Sequence, residues 1–342
     1  MSSKGQRSKR PSMKDVADLA GVSRTTVSFV LNQVPDSNIP EATQERVWAA
    51  VEELGYRPNW MARGLRSQRT HTIGFISDVV ATTPHANHMI QGAQELAWDH
   101  DKLLLLVNVG DNKEMKMAAV NMMLERQVEG IIYATMYHRE AHPPKIIKEV
   151  PTVMLDCFVA DRSLPSVVPD EVLGAYTAVS TLIQKGHKRI GYLQNEEPVD
   201  AAILRLEGYK KALAEHGIPF DESLVEAVDD RHGYDGAMPI LKRPDRPSAL
   251  FIFNDRMAMG AYDAIRNLNL KIPNDVAIIG YDNQELIAPN LYPALTTMEL
   301  PHYEMGYWAV EQLLDLINNP DAQPETAVQY KMECPLIERS SV

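Results

Sequence analysis

Two cysteines are all that this chain of 342 residues holds, Cys157 and Cys334, and they lie far apart. A disulfide framework is thereby excluded, and with no export signal reduced thiols in a cytoplasm are the expectation. No apolar run approaches the roughly 18 residues that a membrane-spanning helix needs, so no membrane segment is expected. The basic start, MSSKGQRSKRPS, leads into no apolar segment and does not read as a secretory signal. No G-x-S-x-G, phosphate-binding loop or Cys–His arrangement is present, so neither an enzyme nor a cofactor is expected. His85 and His88, in HANH, stand three apart without a third ligand nearby, and no metal site is read there. Repeats of short period are missing as well.

What remains is the composition of an ordinary soluble protein, 45% hydrophobic and 23% charged, long enough for two or three domains. The net charge of −12 hides an asymmetry. Residues 1–70 hold eleven Lys/Arg against seven Asp/Glu, while the rest holds twenty-three against thirty-nine. A basic head on an acidic body suggests that only the head meets a polyanion.

Residues 13–56 read as three helices. MKDVADLA carries Val16, Leu19 and Ala20 at helical spacing and stops at Gly21. VSRTTVSFVLN restarts behind Ser23, with Val27, Val30 and Leu31 on one face. PEATQERVWAAVEELGY carries Val47, Ala50, Val51 and Leu54 and ends at Gly55. The first two, joined at AGVS, have helix-turn-helix spacing. The second would lie in a major groove, with Arg24, Thr25 and Ser28 at the base edges and Phe29 one turn on. Ser23, at the helix start, would hold a phosphate. The competing reading is a plain three-helix bundle.

Past residue 71 the pattern changes. Nine short apolar runs, TIGFIS, LLLLVNV, EGIIYAT, PTVMLD, RIGYLQ, VEAVDD, SALFIF, DVAIIGYD and ALTTMEL, alternate with amphipathic stretches. This is the signature of βαβ units and parallel sheet. Nine strands exceed one comfortable doubly wound sheet, so two sheets in two lobes are expected. Ligands of such sheets bind beyond the carboxyl ends of the strands. The polar residues at those ends are Asp78, Asn108, Asp156, Asn254-Asp255 and Asp282-Asn283. Carboxylates and carboxamides of this kind hold vicinal hydroxyls, Phe158, Tyr133 or Tyr281 would supply a stacking face, and Arg205 adds a cation. Polar residues also end strands as turn formers and caps, and Asp255 reads as a helix cap.

Between head and body lies RPNWMARGLRSQR. It reads either as a solvated linker or as a short helix weakened at Gly64 by about 1 kcal/mol relative to Ala.

The stretches KDVADLAGVSRTTVSFVLN, ATQERVWAAVEELGYRPN, ARGL, KGHKRIGYL, RLEGYKKAL, FNDRMAMGAYDAI, IPNDVAIIGYDN and PALTTMELPHYEMG, in that order, resemble the LacI/GalR family of bacterial regulators. The resemblance implies an α/β architecture: a helix-turn-helix head at 1–57, a hinge helix and linker at 58–70, and a two-lobed body like periplasmic sugar-binding proteins at 71–342. Lobe 1 would take about 71–168 and 299–328, and lobe 2 about 169–298 and 329–342. It implies a cytoplasmic homodimer on pseudo-palindromic double-stranded operator DNA, most simply a repressor, with a small-molecule effector, a sugar, in the interlobe cleft. A nucleoside or a phosphoprotein corepressor is the alternative within the family, and a sugar-processing enzyme the remote one outside it. Implied DNA contacts are Ser23, Arg24, Thr25, Ser28, Phe29, Asn32, Thr43, Tyr56, Asn59, Arg63 and Leu65, the last as a wedge between base pairs. Phe29 departs from the Arg of several members, and Pro40 from a capping Ser. Implied effector contacts are Asp78, Asp156, Arg205, Arg231, Asn254 and Asp282.

Overall fold

The computed structural model describes residues 11–32, 34, 37–57, 69–320 and 326–342. It divides into two units at Thr70/His71. In the first unit, helix α1 (Met13–Ala20) opens with a capping box: the Asp15 N–H donates to Ser12 Oγ and the Asp15 carboxylate accepts from the Ser12 N–H at 2.7 Å. It closes at Gly21, whose left-handed backbone (φ 66°) suits glycine. Helix α2 (Arg24–Leu31) is capped by Ser23, whose Oγ accepts from the Thr26 N–H at 3.0 Å. Helix α3 (Glu41–Leu54) starts at Pro40 without a side-chain cap. It ends at Gly55, where the Gly55 and Tyr56 N–H groups donate to the Glu52 and Val51 carbonyls in a Schellman motif. Val16, Val27 and Val47 are wholly buried and form the core of this unit with Val30, Ala50 and Tyr56. Leu19, read as part of the apolar stripe, is instead exposed.

The second unit contains two six-stranded sheets, as expected for two lobes. The first has the order β11-β5-β4-β3-β1-β2, with β1 (Thr72–Ser77), β2 (Leu103–Asn108), β3 (Gly130–Glu140), β4 (Thr152–Phe158), β5 (Ser166–Pro169) and β11 (Gln329–Met332). Every pairing in it is parallel. The second has the order β12-β10-β9-β8-β6-β7, with β6 (Ile190–Asn195), β7 (Val225–Val228), β8 (Ala249–Ile252), β9 (Ala277–Asp282), β10 (Thr296–Glu299) and β12 (Leu336–Ile337). Only the β10–β12 pair is antiparallel among its pairings.

Helices cover the sheets. The first lobe carries α4 (Asn87–Asp99), α5 (Lys113–Glu125) and α10 (His302–Asn318). The second carries α6 (Glu171–Gln184), α7 (Asp200–Glu215), α8 (Gly233–Leu241) and α9 (Asp255–Asn267). Helices α4 and α10 cross with backbones touching. A Cβ on Gly92 would sit 2.0 Å from the Tyr303 carbonyl oxygen, and one on Gly306 equally close to that of Met89.

All nine apolar runs lie in strands. The runs missed were β5, β11 and β12, of four, four and two residues, too short to show a period. This moves one boundary. Gln329–Met332 pairs with Ser166–Pro169 in the first sheet, so these residues leave the lobe 2 segment expected at 329–342. The chain crosses between sheets after β5, after β10 and again between β11 and β12. The leucine run also differs from its reading as a buried strand. β2 is an edge strand, with Leu103 58% and Leu106 36% exposed.

Candidate functional site

Two surfaces carry the chemistry. In the first unit, the capping of α2 by Ser23 fixes which residues of its first turns face outward. Ser23, Arg24 and Thr25 are exposed, as is Phe29. Val27 and Val30 on the opposite face are buried. Ser28 is half-buried and tied to the helix end, accepting at its carbonyl from Asn32 Nδ2 at 2.7 Å. Thr43 stands in the first turn of α3, where its Oγ1 accepts from Arg46 at 3.4 Å. Tyr56 departs from its expected place at DNA: the Schellman turn folds its ring into the core, where it is buried. Asn59, Arg63 and Leu65 lie outside the described residues.

The second surface is the cleft between the lobes. A small cavity of about 10 Å³, room for little more than a water, is lined from the first lobe by His85, Met136, Tyr137, His138 and Asp156. Its far side includes Glu171, Arg205, Phe253 and Asp282 of the second lobe. Two of its carboxylates occupy left-handed backbone positions at strand ends, Asp156 with φ 56° and Asp282 with φ 104°. Such conformations cost about 1–3 kcal/mol for a residue with a Cβ and gather at ligand sites.

Arg205 organises the second-lobe wall. Its Nε and Nη2 fork onto Glu171 at 2.7 and 3.2 Å, and its Nη1 donates to the Phe253 carbonyl. The guanidinium lies over the rings of Phe253 and Tyr281, 4.5 and 3.6 Å from their centroids. Asp282 approaches it at 3.9 Å and accepts from Gln284 Nε2 at 2.9 Å. Burial pushes the Glu171 carboxyl up, and the Arg205 charge beside it pulls the other way.

The first-lobe wall is less satisfied. Asp156 is 2% exposed, and its Oδ1 has no hydrogen-bond partner among the described residues. Burial, and then the neighbouring Glu171 charge, raise its carboxyl well above the usual range. His138 is 4% exposed, and its Nδ1 is likewise unpartnered. Burial pushes its imidazole down to about 3, so it is neutral at physiological pH. His85 stacks on His302 with centroids 5.5 Å apart and places Nε2 3.7 Å from the Asp282 carboxylate across the cleft. Burial lowers His85 as well.

Polar bridges hold the lobes together around this cavity, and they come from a register shift in β3 between Ala134 and Arg139. Tyr137 donates to Asp230 Oδ2 at 2.8 Å, where Arg256 also pairs. The Glu140 N–H donates to Asp200 at 3.0 Å, and Arg139 meets Glu197 at 3.5 Å.

Asp156, Arg205 and Asp282 thus come together; three other expected contacts do not join them in the same way. Asp78 accepts from the Val79 and Met136 N–H groups and lines a separate first-lobe groove with Lys113, Tyr133 and Arg139. Arg231 is 69% exposed and forked onto Asp229 at 2.7 Å; the neighbouring Asp230 is the one that turns inward. Asn254, not Asp255, is the helix cap. Asn254 caps α9 by accepting from the Met257 N–H at 2.8 Å. Asp255 is wholly buried and accepts from Thr297 Oγ1 at 2.6 Å and the Gln284 N–H at 2.7 Å. The aromatic candidates Tyr133, Phe158 and Tyr281 are also set back, and the rings at the cavity are His85, Tyr137, His138 and Phe253. Glu171, Tyr137, His138 and Asp230 were missed. Only the tyrosine and histidine gave any sequence signal, as polar residues just past an apolar strand.

Among the described residues no helix is long and apolar enough to cross a membrane, and no group of three or more His, Cys, Asp or Glu is placed to hold a metal.

Comparison with known proteins bears on both surfaces. The sequence pattern of bacterial regulatory proteins of the lacI family matches residues 12–59, and that of a periplasmic binding protein-like domain matches residues 179–342. The ribose operon repressor of Escherichia coli (strain K12) is 35% identical over 320 residues, covering 92% of this chain and 95% of that protein. The lac repressor dimer bound to operator and the anti-inducer ONPF matches with a TM-score of 0.81 at 27% identity, covering 97% of this chain and 99% of that one. A LacI family transcriptional regulator from Enterococcus faecium with bound ribose matches with a TM-score of 0.65 at 25% identity, covering 79% and 98%.

Proposed function

This chain belongs to the LacI family of bacterial regulatory proteins, DNA-binding regulators of transcription, and from that premise we propose that it is a repressor whose operator affinity is set by a sugar in the interlobe cleft. One observation carries the reading. The same chain exposes the N-terminal turns of a helix-turn-helix and buries unpartnered polar atoms of Asp156 and His138 at a cavity between two lobes. Buried polar groups without partners await a ligand that satisfies them. The name of the ribose operon repressor and the ribose bound to the Enterococcus protein support a sugar in that place. A phosphorylated ligand or a nucleotide fits the acidic lining poorly.

The working unit is a homodimer. A short helix-turn-helix binds weakly alone, and two related by a dyad read two half-sites. The exposed β2 edge supports this, with Leu103 on it and Trp98, Met115 and Met122 on first-lobe helices exposed as apolar side chains that a second copy would cover. The repressor on operator in the comparison is itself a dimer. Ligand-driven movement of the lobes about the three crossings would reach the first-lobe interface, and from there residues 58–70. Asn59, Arg63 and Leu65 would engage the minor groove there when two such segments lie side by side. No turnover of the ligand is part of this reading.

Base reading is assigned to Arg24, Thr25 and Phe29, and backbone anchoring to Ser23. Arg24→Ala is expected to relax preference at one base pair and cost about 1–3 kcal/mol there. Ser23→Ala is expected to weaken all duplexes alike. Binding to a pool of randomised duplexes separates the two, and a uniform loss in both variants overturns the assignment.

A further inference from the structure

The interlobe cavity gathers more acidic groups than cations. Asp156 comes from the end of β4, Glu171 from the first turn of α6 and Asp282 from the end of β9. Among the described residues Arg205 is the one Lys or Arg that lines the cavity with them, and its guanidinium is already forked onto Glu171. Burial lowers the imidazoles of both His85 and His138, that of His138 to about 3. The Arg256 charge is engaged by Asp230, and that of Arg139 by Glu197.

Closing the lobes therefore brings an unpartnered first-lobe carboxylate toward two second-lobe carboxylates that share a single guanidinium. Desolvating such a set is costly unless a cation enters or a proton is taken up. A neutral hydroxyl can donate a hydrogen bond to Asp156 Oδ1, but it brings no charge. An ammonium group does both. The unpartnered His138 Nδ1, buried in the same wall, accepts a donor of the same kind.

We propose that the cleft selects a sugar or polyol bearing a protonated amine, with its ammonium group placed between the Asp156 and Asp282 carboxylates. This rests on the cleft being the effector site, and it goes further in naming the ligand's charge. The ammonium lowers the repulsion between lobes, so binding and closure are one event. Anionic congeners meet like charge on both walls.

The test is a thermal-shift and calorimetric comparison of the full chain near neutral pH, where the amine is protonated. The probes are D-glucosamine, D-galactosamine and D-mannosamine, each against its parent hexose and the matching hexuronic acid. The expected result is that at least one amine binds about tenfold or more tightly than its hexose, that no uronic acid binds, and that Asp156→Asn removes the amine's advantage. A hexose binding through Asp156 as tightly as its amine overturns the ammonium assignment and leaves the cleft reading standing. Failure of every amine to bind also overturns the assignment. Binding that survives both Asp156→Asn and Asp282→Asn places the ligand elsewhere and overturns the cleft reading as well.

Discussion

Arg205→Leu is expected to destabilise the body by about 3–5 kcal/mol, read as a lower urea midpoint with an unchanged slope. The reason is what it leaves behind. Glu171 is 2% exposed and takes both parallel hydrogen bonds of its carboxylate from Arg205. Removing the guanidinium strands that carboxylate beside Asp282 and Asp156, in a wall that water does not reach. Attraction within the pair is not itself the source of the loss, since a buried ion pair does little better than apolar residues that fill its volume. The double variant Glu171→Met, Arg205→Leu should therefore recover most of the stability. A single variant as stable as the parent would mean that Glu171 is protonated in the native protein, and the charge count of the cavity would have to be revised.

The second large effect is in the pH dependence of stability. Asp156 has its carboxyl raised in the folded chain by burial first and by Glu171 second. The native state thus holds a proton that the unfolded chain has already lost. Stability from this group is complete below the ordinary aspartate value of 3.8 and falls as pH rises from there through the raised native value. Each pH unit of that window removes about 1.4 kcal/mol. Asn imitates the protonated acid and has nothing to lose. Asp156→Asn should match the parent in acid and exceed it at neutral pH, with the gap widening between the two. Glu171, raised by burial, contributes a loss of the same sign that the variant retains. Chemical denaturation of both proteins across that range checks this, and parallel stability curves would remove Asp156 from the account.

These effects show what a sequence reveals and what it hides. Long continuous apolar runs betray parallel strands, because both faces of such a sheet are covered. Ser23, Gly21 and Gly55 betray helix ends, because each satisfies backbone groups left open there. β5 and β11 escape because four residues at the junction between lobes carry no period. In the site, Asp156 and Asp282 were legible as polar residues closing apolar strands. The order of roles within DDRH and FND was not. Which of two adjacent polar side chains faces a cleft depends on the turn that follows, and that turn sends Asp230 inward and Arg231 out. Glu171 is one acid in the first turn of a helix, a place where acids are ordinary. Its importance depends on Arg205, 34 residues further along the chain. Phe29 is exposed on α2, so the departure noted there concerns a side chain at the surface.

The central claim is that a ligand in the cleft controls the affinity of the head for DNA. It is tested most directly by selecting a duplex from a random pool with the full protein and measuring its dissociation constant with and without the sugar or amino sugar that stabilises the body. Wild type and Asp282→Asn are compared. The account predicts a pseudo-palindromic consensus and a shift of roughly 5–150-fold on adding ligand. It predicts that Asp282→Asn loses the shift while keeping the ligand-free affinity. An affinity that ignores the bound ligand, or a shift that Asp282→Asn leaves intact, would contradict it.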